Sequence, residues 1–399
     1  MVSAQRNLSY VFEPYKAIKV PYLDTQRPRP RSGHRIACDD ANIYCFGGYN
    51  PGLPIDTASN TWSPDRPLFR DLWCFNIAER TWKPLRILGD MRDELASCAM
   101  CMNGNYLMIY GGTGSPFGSK CSNDVTIWHV PKGECHDAHL KLLTTKGQRP
   151  PGQYGQSVLC HKGYFYTIGG TNGFDYNCDI HRLNLKTLTW ECVFIGTGQE
   201  GEPIGRYRHE LAVLNEKLYV IGGGTGAWAF ELMEMPVFDL KTKTWSMETP
   251  KGDDSFKGPI CPMPRKCHSA VQIDTPNGAQ VFVVGGTDGN LAFQDIWRLQ
   301  LPEMQWTIMR KCVLPKPIYF HSATVTSSGC MYIFGGIESD ELEGVRTNNL
   351  YKIWLSIPKL SEICWEAVVH YNPVLARYGK TRLAEAGIPL RFVQRLQTA

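Results

Sequence analysis

Six times in this chain a short apolar run ends in two consecutive glycines. The runs are IYCFGG ending at Gly48, LMIYGG at Gly112, FYTIGG at Gly170, LYVIGG at Gly223, VFVVGG at Gly286 and MYIFGG at Gly336, spaced 64, 58, 53, 63 and 50 residues apart. Self-similarity at such a period marks one supersecondary unit that cannot bury its apolar surface alone and must stack on its copies. Upstream of each glycine pair lies a second strand-like run. Four of these open on a histidine, in RSGH (31–34), RYRH (206–209), RKCH (265–268) and IYFH (318–321); the other two carry ELAS (94–97) and YGQS (154–157). Downstream, a variable loop leads to a third run such as DLWCFNI or DIWRLQL, and a fourth strand begins near Trp82, Trp190, Trp245 and Trp306.

Four short strands per unit, six times over, predict an all-β fold, a six-bladed β-propeller. A four-stranded sheet with two apolar faces is poorly stable alone, and radial stacking buries both. The double glycine admits close backbone approach and positive φ, which a β-branched residue resists. The repeat resembles the kelch repeat. Units fall near 31–90, 91–150, 151–203, 204–262, 263–315 and 316–357, giving a propeller over 27–357. The sixth unit has a third strand around NLYKIWLSI (349–357) and then changes character, so its fourth strand is missing. Within the N-terminal segment 1–26, residues near Tyr15–Val20 stand where other units place that strand, and are expected to complete the last blade and remove a free sheet edge.

After Pro358 the period changes from two to 3.6. KLSEICWEAVVHYN carries apolar positions at Leu360, Ile363, Cys364, Ala367 and Val368, with the proline near the first turn. Further helices are expected in TRLAEAG (381–387) and IPLRFVQRLQ (388–397), so that 358–399 forms a short helical tail. Helices this short must pack on something.

Antiparallel strands put the start of strand one and the loop between strands two and three on the same face of the ring. That face is expected to carry Arg31, Arg35, Tyr154, Gln156, Arg206, Tyr207, Arg208, Arg265, Lys266 and Tyr319. Longer loops bearing Trp62, Phe117, Phe174, Tyr176, Trp228 and Phe293 roof it. Arginines converging on one axis call for an anionic partner, and their forks match carboxylates; aromatics add rigid contact surface. A short peptide with a carboxylate is the expected ligand. Arg31, Arg206 and Arg265 share one repeat position and can equally be architectural, as can the histidines, whereas Arg208 and Lys266 break the pattern.

Composition removes other classes. A formal charge of +4 on 399 residues provides no concentrated basic stripe, so nucleic acid is not an expected partner. The fifteen cysteines lack disulfide or zinc spacing and read as reduced thiols. MVSAQRNLSYVFEP has no apolar signal stretch and no run of eighteen apolar residues occurs. The expectation is an intracellular protein of the cytoplasm, with the nucleus also open to it, and no membrane partner. Histidines recur one per unit instead of clustering and no acid–base pair stands out, so neither enzyme nor cofactor is expected.

Leu360, Cys364 and Val368 match the leucine-x3-cysteine-x3-aliphatic core of the BC box, with Lys359 where that pattern has a small residue. Ile388, Pro389, Phe392 and Leu396 resemble a cullin box of the cullin-2 type. With RPRPRSGHRIACDDANIYCFGGYN, RYRHE, RKCHSAVQI and the YKIW strand, the chain from about 27 to about 397 resembles kelch-repeat substrate receptors of cullin-2 RING ubiquitin ligases. The resemblance implies docking to elongin B/C through Leu360, Cys364 and Val368. It implies contact with cullin-2 and its RING subunit through Ile388, Pro389, Phe392 and Leu396. It also implies recognition of C-terminal degrons ending in glycine or another small residue, directing targets to the proteasome. Such receptors hold the terminal carboxylate with arginines and a serine, for which Arg206, Arg208, Arg265 and Ser269 are in register here, beside Lys266, Tyr154, Tyr207, Trp228, Phe174 and Tyr319. The alternative left open is a propeller scaffold for a signalling enzyme or cytoskeletal partner, with the tail serving as a cap.

Overall fold

A computed structural model describes residues 9–22, 26–52, 67–131, 136–255, 260–339 and 344–396. Its core is a ring of six antiparallel blades. The first comprises Arg35–Cys38, Asn42–Phe46, Leu72–Asn76 and Thr81–Gly89. The innermost strands of the others are Ala99–Asn103, Ser157–His161, Glu210–Leu214, Ser269–Thr275 and Ser322–Val325, and they succeed one another around a central channel. The second strands are almost wholly apolar because side chains alternate across a sheet and both faces are covered. In Asn42–Phe46, Tyr44 and Phe46 enter the core shared with blade 2, while Ile43 and Cys45 enter the core shared with blade 6. Every blade junction is built this way.

Two sets of backbone hydrogen bonds run around the ring. In the first, the N–H of the second glycine in each pair reaches a carbonyl of the next blade: Gly48 to Leu95, Gly112 to Gln153, Gly170 to Arg206, Gly223 to Arg265, Gly286 to Ile318 and Gly336 to Arg31, all at 2.8–2.9 Å. In the second, Gly33, Ser97, Gly155, Arg208, Cys267 and Phe320 each donate to the same position of the preceding blade at 2.7–3.2 Å, and Gly33 closes the circle on Phe320. All six have φ between 54° and 67°. The residue following each of these is His34, Cys98, Gln156, His209, His268 or His321, so the equivalents of the histidines in blades 2 and 3 are Cys98 and Gln156. The windows ELAS and YGQS therefore fall out of register with the histidine windows, and the aligned ones are LASC and QYGQ.

The glycine pair and the histidine are one device. The first glycine of one blade faces the imidazole of the next, so that a Cβ on Gly169, Gly222, Gly285 or Gly335 would lie 2.5–3.1 Å from Cε1 of His209, His268, His321 or His34. The second glycine abuts Cβ of its own blade's histidine, as at Gly223 and His209, where a Cβ would lie 2.6 Å away.

Ring closure follows the expectation. Ile18–Lys19 pairs antiparallel with Leu350–Trp354, Ile18 opposite Lys352, and so supplies the outer strand of blade 6. A small sheet of Ile318–Tyr319, Ile337–Ser339 and Gly344–Arg346, which sequence reading did not anticipate, rises on the mouth side of that blade. After the ring come three helices, α1 (Leu360–Tyr371), α2 (Lys380–Glu385) and α3 (Leu390–Val393). Trp365, Val369, Leu375, Leu383, Phe392, Val393 and Leu396 form their shared core, together with Ala78 from a turn of blade 1.

Candidate functional site

The repeat arginines turn away from the axis. Arg31 and Arg265 are fully buried; each forks onto an aspartate that opens the third strand of its own blade, Asp71 at 2.6 and 2.9 Å and Asp295 at 2.7 and 3.0 Å. Each also donates to the carbonyl of the first glycine, Gly47 or Gly285, and stacks on Phe69 or Phe293. Arg265 is thus withdrawn from the expected ligand set, its guanidinium already holding a carboxylate. Arg206 makes the same contacts to the Gly222 carbonyl and Phe230. It has no carboxylate partner among the described residues, and burial lowers its pKa to about 10. Ser269 is withdrawn too: it is buried on the innermost strand and donates to the His321 carbonyl at 3.3 Å.

Arg208 occupies the axis. Its left-handed φ of 56° turns the side chain into the mouth, where the guanidinium donates to Ser97 Oγ on blade 2 and lies 4.8 Å over the ring of Phe320 on blade 6. Gly33 leaves room for it, since a Cβ there would come within 3.2 Å of Nη2. Arg208 is buried and forms no ion pair among the described residues; its Nε has no partner, and desolvation lowers its pKa. Adjacent, Arg35 on blade 1 pairs at 3.0 Å with Glu210 on the opposite blade 4 and donates to the Cys98 carbonyl. The floor of the mouth thus holds two cations, of which Arg35 alone is paired with Glu210.

The rim adds aromatic surface and a further arginine. Arg346, on the unanticipated small sheet, donates to Ser32 Oγ at 3.0 Å, lies over Tyr49 and has no carboxylate partner among the described residues. Tyr154, Tyr207 and Tyr319 are half-buried around the opening, Tyr207 against Tyr176 at 5.3 Å. Phe174 and Trp228 stand 85% and 70% exposed. Lys266 does not point at a ligand. Its Nζ is held by the carbonyls of Thr225 and Gly226, at 2.7 and 3.1 Å, and so props the loop that presents Trp228. Trp62 lies outside the described residues. Of the residues that read as ligand contacts, the structure gathers Arg208, Tyr154, Tyr207 and Tyr319 at the mouth. Ser97 and Arg346 join them; only the register of ELASC could have pointed to Ser97.

Burial keeps His34, His209, His268 and His321 neutral, driving the pKa of His209 and His321 down to about 3. They are architectural. Among the described residues no three His, Cys, Asp or Glu side chains gather in metal-binding geometry, and no helix is long and apolar enough to cross a membrane.

The tail sits on the other face of the ring. Asn76 in a turn of blade 1 donates to the Arg395 carbonyl, and Lys352 of blade 6 pairs with Glu366 of α1 at 2.7 Å. Between α1 and the ring lies a cavity of about 580 Å³, walled in part by Tyr10, Trp354 and Trp365. Trp365 and Val369 face inward; Leu360 is 74% exposed, Cys364 is exposed and Val368 is half-buried. Leu360 and Cys364 of the stripe read from the sequence therefore look outward, while Val368 packs against the tail core beside Trp365 and Val369. In the second motif Phe392 and Leu396 are buried, Phe392 stacked on Trp365 with centroids 5.1 Å apart. They hold the tail together and cannot themselves be contacts, a correction to the sequence reading. Ile388 is half-buried, while Pro389 and Leu390 face solvent.

Comparison with known proteins fits this architecture. The family model described as the KLHDC2/KLHL20/DRC7 Kelch-repeats domain matches residues 5–133 and 58–259, and the Attractin/LZTR1 beta-propeller model matches 165–363. The chain is 40% identical over 405 residues to the kelch domain-containing protein 10 homolog of Drosophila melanogaster, covering 97% of this chain and 66% of that protein. It is 38% identical to kelch domain-containing protein 10 of Rattus norvegicus, covering 94% and 88%, and of Mus musculus, covering 95% and 84%. The chain thus spans just under two thirds of the fly relative's length and most of the rodent ones. The family match and the fold agree on a kelch-repeat propeller.

Proposed function

The chain belongs to the kelch domain-containing protein 10 family, a kelch-repeat family related to substrate-receptor kelch proteins, and from that premise we propose that it is the substrate-recognition subunit of an elongin B/C–cullin-2 RING ubiquitin ligase. Its mouth grips protein C-termini and directs their owners to degradation in the cytoplasm and nucleus. The observation that carries this reading is Arg208, a buried axial cation with an unpartnered Nε and no anion of its own. A buried charge without a counter-ion is costly, and a terminal carboxylate entering the mouth supplies one. Ser97 and Arg346 stand nearby as further donors. Cys267, next to Arg208 on the mouth circle, and Phe320, whose ring lies under the guanidinium, restrict the space there and favour a small last residue. Upstream residues of the peptide then meet Tyr154, Tyr207, Phe174 and Trp228.

Leu360 and Cys364 face solvent on the opposite side of the ring, so elongin C can take the tail while the mouth is occupied. Pro389 and Leu390 offer cullin-2 a neighbouring surface. The test is binding of a library of C-terminal peptides, each free or amidated, to the receptor purified from cells. The proposal requires elongin B/C in the preparation and loss of about 2 kcal/mol or more of binding on amidation, as a buried arginine loses its partner. Equal binding of the two peptide forms without elongin would favour the scaffold reading instead.

A further inference from the structure

Three sulfur atoms meet where blades 2 and 3 approach the channel. Cys101, on the innermost strand of blade 2, places Sγ 3.8 Å from Sγ of Cys160, on the innermost strand of blade 3. Cys160 Sγ in turn lies 4.0 Å from Sδ of Met108. Met108 stands directly opposite Cys101 across the blade 2 hairpin, so both side chains leave the sheet on one face. Two adjacent strands and a blade junction thereby fix three soft donors around one point.

We propose that Cys101, Cys160 and Met108 form a three-coordinate site for a soft monovalent metal ion, with Cu(I) its natural occupant. Metal–sulfur bonds of about 2.3 Å put the sulfurs of a three-coordinate centre roughly 4 Å apart, the spacing that Cys160 already keeps from Cys101 and from Met108. The donor set discriminates by chemistry. Thiolate and thioether select Cu(I), whereas zinc takes four nitrogen, thiolate or carboxylate ligands, and no trio of His, Cys, Asp or Glu gathers among the described residues. The surroundings agree, being the apolar junction core of Tyr110, Phe165, Leu183 and Trp190. Such a shell excludes water and hard ligands. Cys101 and Cys160 are both only part-buried, which leaves an ion a route to the sulfurs. On binding, the two thiols release their protons to solvent, the copper stays monovalent and no electron moves. Bound metal bridges two blades that are otherwise joined by hydrogen bonds and packing.

The experiment is anaerobic titration of the reduced full chain with Cu(I) against a chromophoric Cu(I) chelator, in a Cys364→Ser background that removes the exposed tail thiol. One equivalent is expected, with an X-ray absorption shell of three sulfurs. Cys160→Ser should weaken this binding by ~100-fold or more, and Met108→Leu by about 10-fold with the shell falling to two sulfurs. Tight binding unchanged in Cys160→Ser, or a shell containing nitrogen or oxygen in the parent chain, would overturn the assignment. The absorption measurement needs no variant and so decides the matter even if a substitution prevents folding.

Discussion

The guanidinium of Arg208, on blade 4, reaches across the propeller mouth to the hydroxyl of Ser97, on blade 2. No carboxylate among the described residues accompanies it, and removal from water makes its charge unfavourable. Stability and function therefore pull apart at this residue. Replacing a buried, unpaired charge with an apolar chain of similar volume is neutral or stabilising, so Arg208→Met should leave the unfolding free energy unchanged or raise it by about 1 kcal/mol. The same variant should lose C-terminal peptide binding by ~100-fold. Arg265→Met should behave in the opposite way. It removes the arginine that now clasps Asp295 at 2.7 and 3.0 Å, leaving the carboxylate the Trp297 indole N–H, and should cost about 2–3 kcal/mol of stability, less than a fully buried pair because the aspartate is partly exposed. Urea titration beside peptide binding separates the two; a destabilised Arg208→Met would refute the division.

Glycine does two different jobs in these repeats, and alanine can tell them apart. Gly335 has φ of 62° and faces the imidazole of His34, whose Cε1 would lie 2.5 Å from an added Cβ. Gly104, in the hairpin turn of blade 2, has φ of 59° and open space around it. Gly104→Ala meets left-handed strain alone, about 1–2 kcal/mol. Gly335→Ala adds a clash in a close-packed junction and should cost at least about 3 kcal/mol. Equal losses in denaturant midpoint would show that the histidine is not seated as described.

Acid should loosen the ring below neutrality. The four blade histidines have folded-state pKa values depressed by burial, to about 3 for His209 and His321, against about 6.5 in the unfolded chain. With the folded value below the unfolded one, the stabilising contribution is complete well above pH 6.5. It is lost as the pH falls from there toward 3, because the unfolded chain binds protons first. Each histidine contributes a slope of up to about 1.4 kcal/mol per pH unit in that window. Melting temperatures at pH 7.5, 6.5 and 5.5 should fall slightly across the first interval and more steeply across the second; a level profile to pH 5.5 would mean that these rings are not buried neutral.

The ring was legible in the sequence because the same constraint, a glycine pair seating two histidines or their equivalents, returns in every unit. The closing strand was legible because the sixth unit gives way to a helical period after its third strand. What the sequence does not show is direction. Arg206 and Arg208 are two residues apart, yet one lies along its blade and the other, through a left-handed backbone, enters the mouth. The partners that immobilise Arg31 and Arg265 are 40 and 30 residues away, across loops of unequal length. In the tail, a 3.6 period identifies a helix without saying which face looks out, and the aromatic Phe392 reads as a contact surface until it is seen stacked on Trp365.

That stack yields the prediction that best divides docking from folding. Leu360 is 74% exposed and Phe392 3% exposed, so the two have separate fates although both belong to one short tail. Leu360→Ala removes an exposed side chain whose burial in a partner is worth about 1.5–3 kcal/mol. It should leave thermal unfolding unchanged and reduce elongin B/C capture by one to two orders of magnitude. Phe392→Ala opens a cavity beneath Trp365 and costs about 3–5 kcal/mol of local stability. It should first appear as faster amide exchange across α1, and only then as weaker capture. Hydrogen exchange together with quantitative co-purification distinguishes the cases. If Leu360→Ala speeds exchange in α1 as much as Phe392→Ala does, Leu360 is part of the tail's own fold and not a free knob.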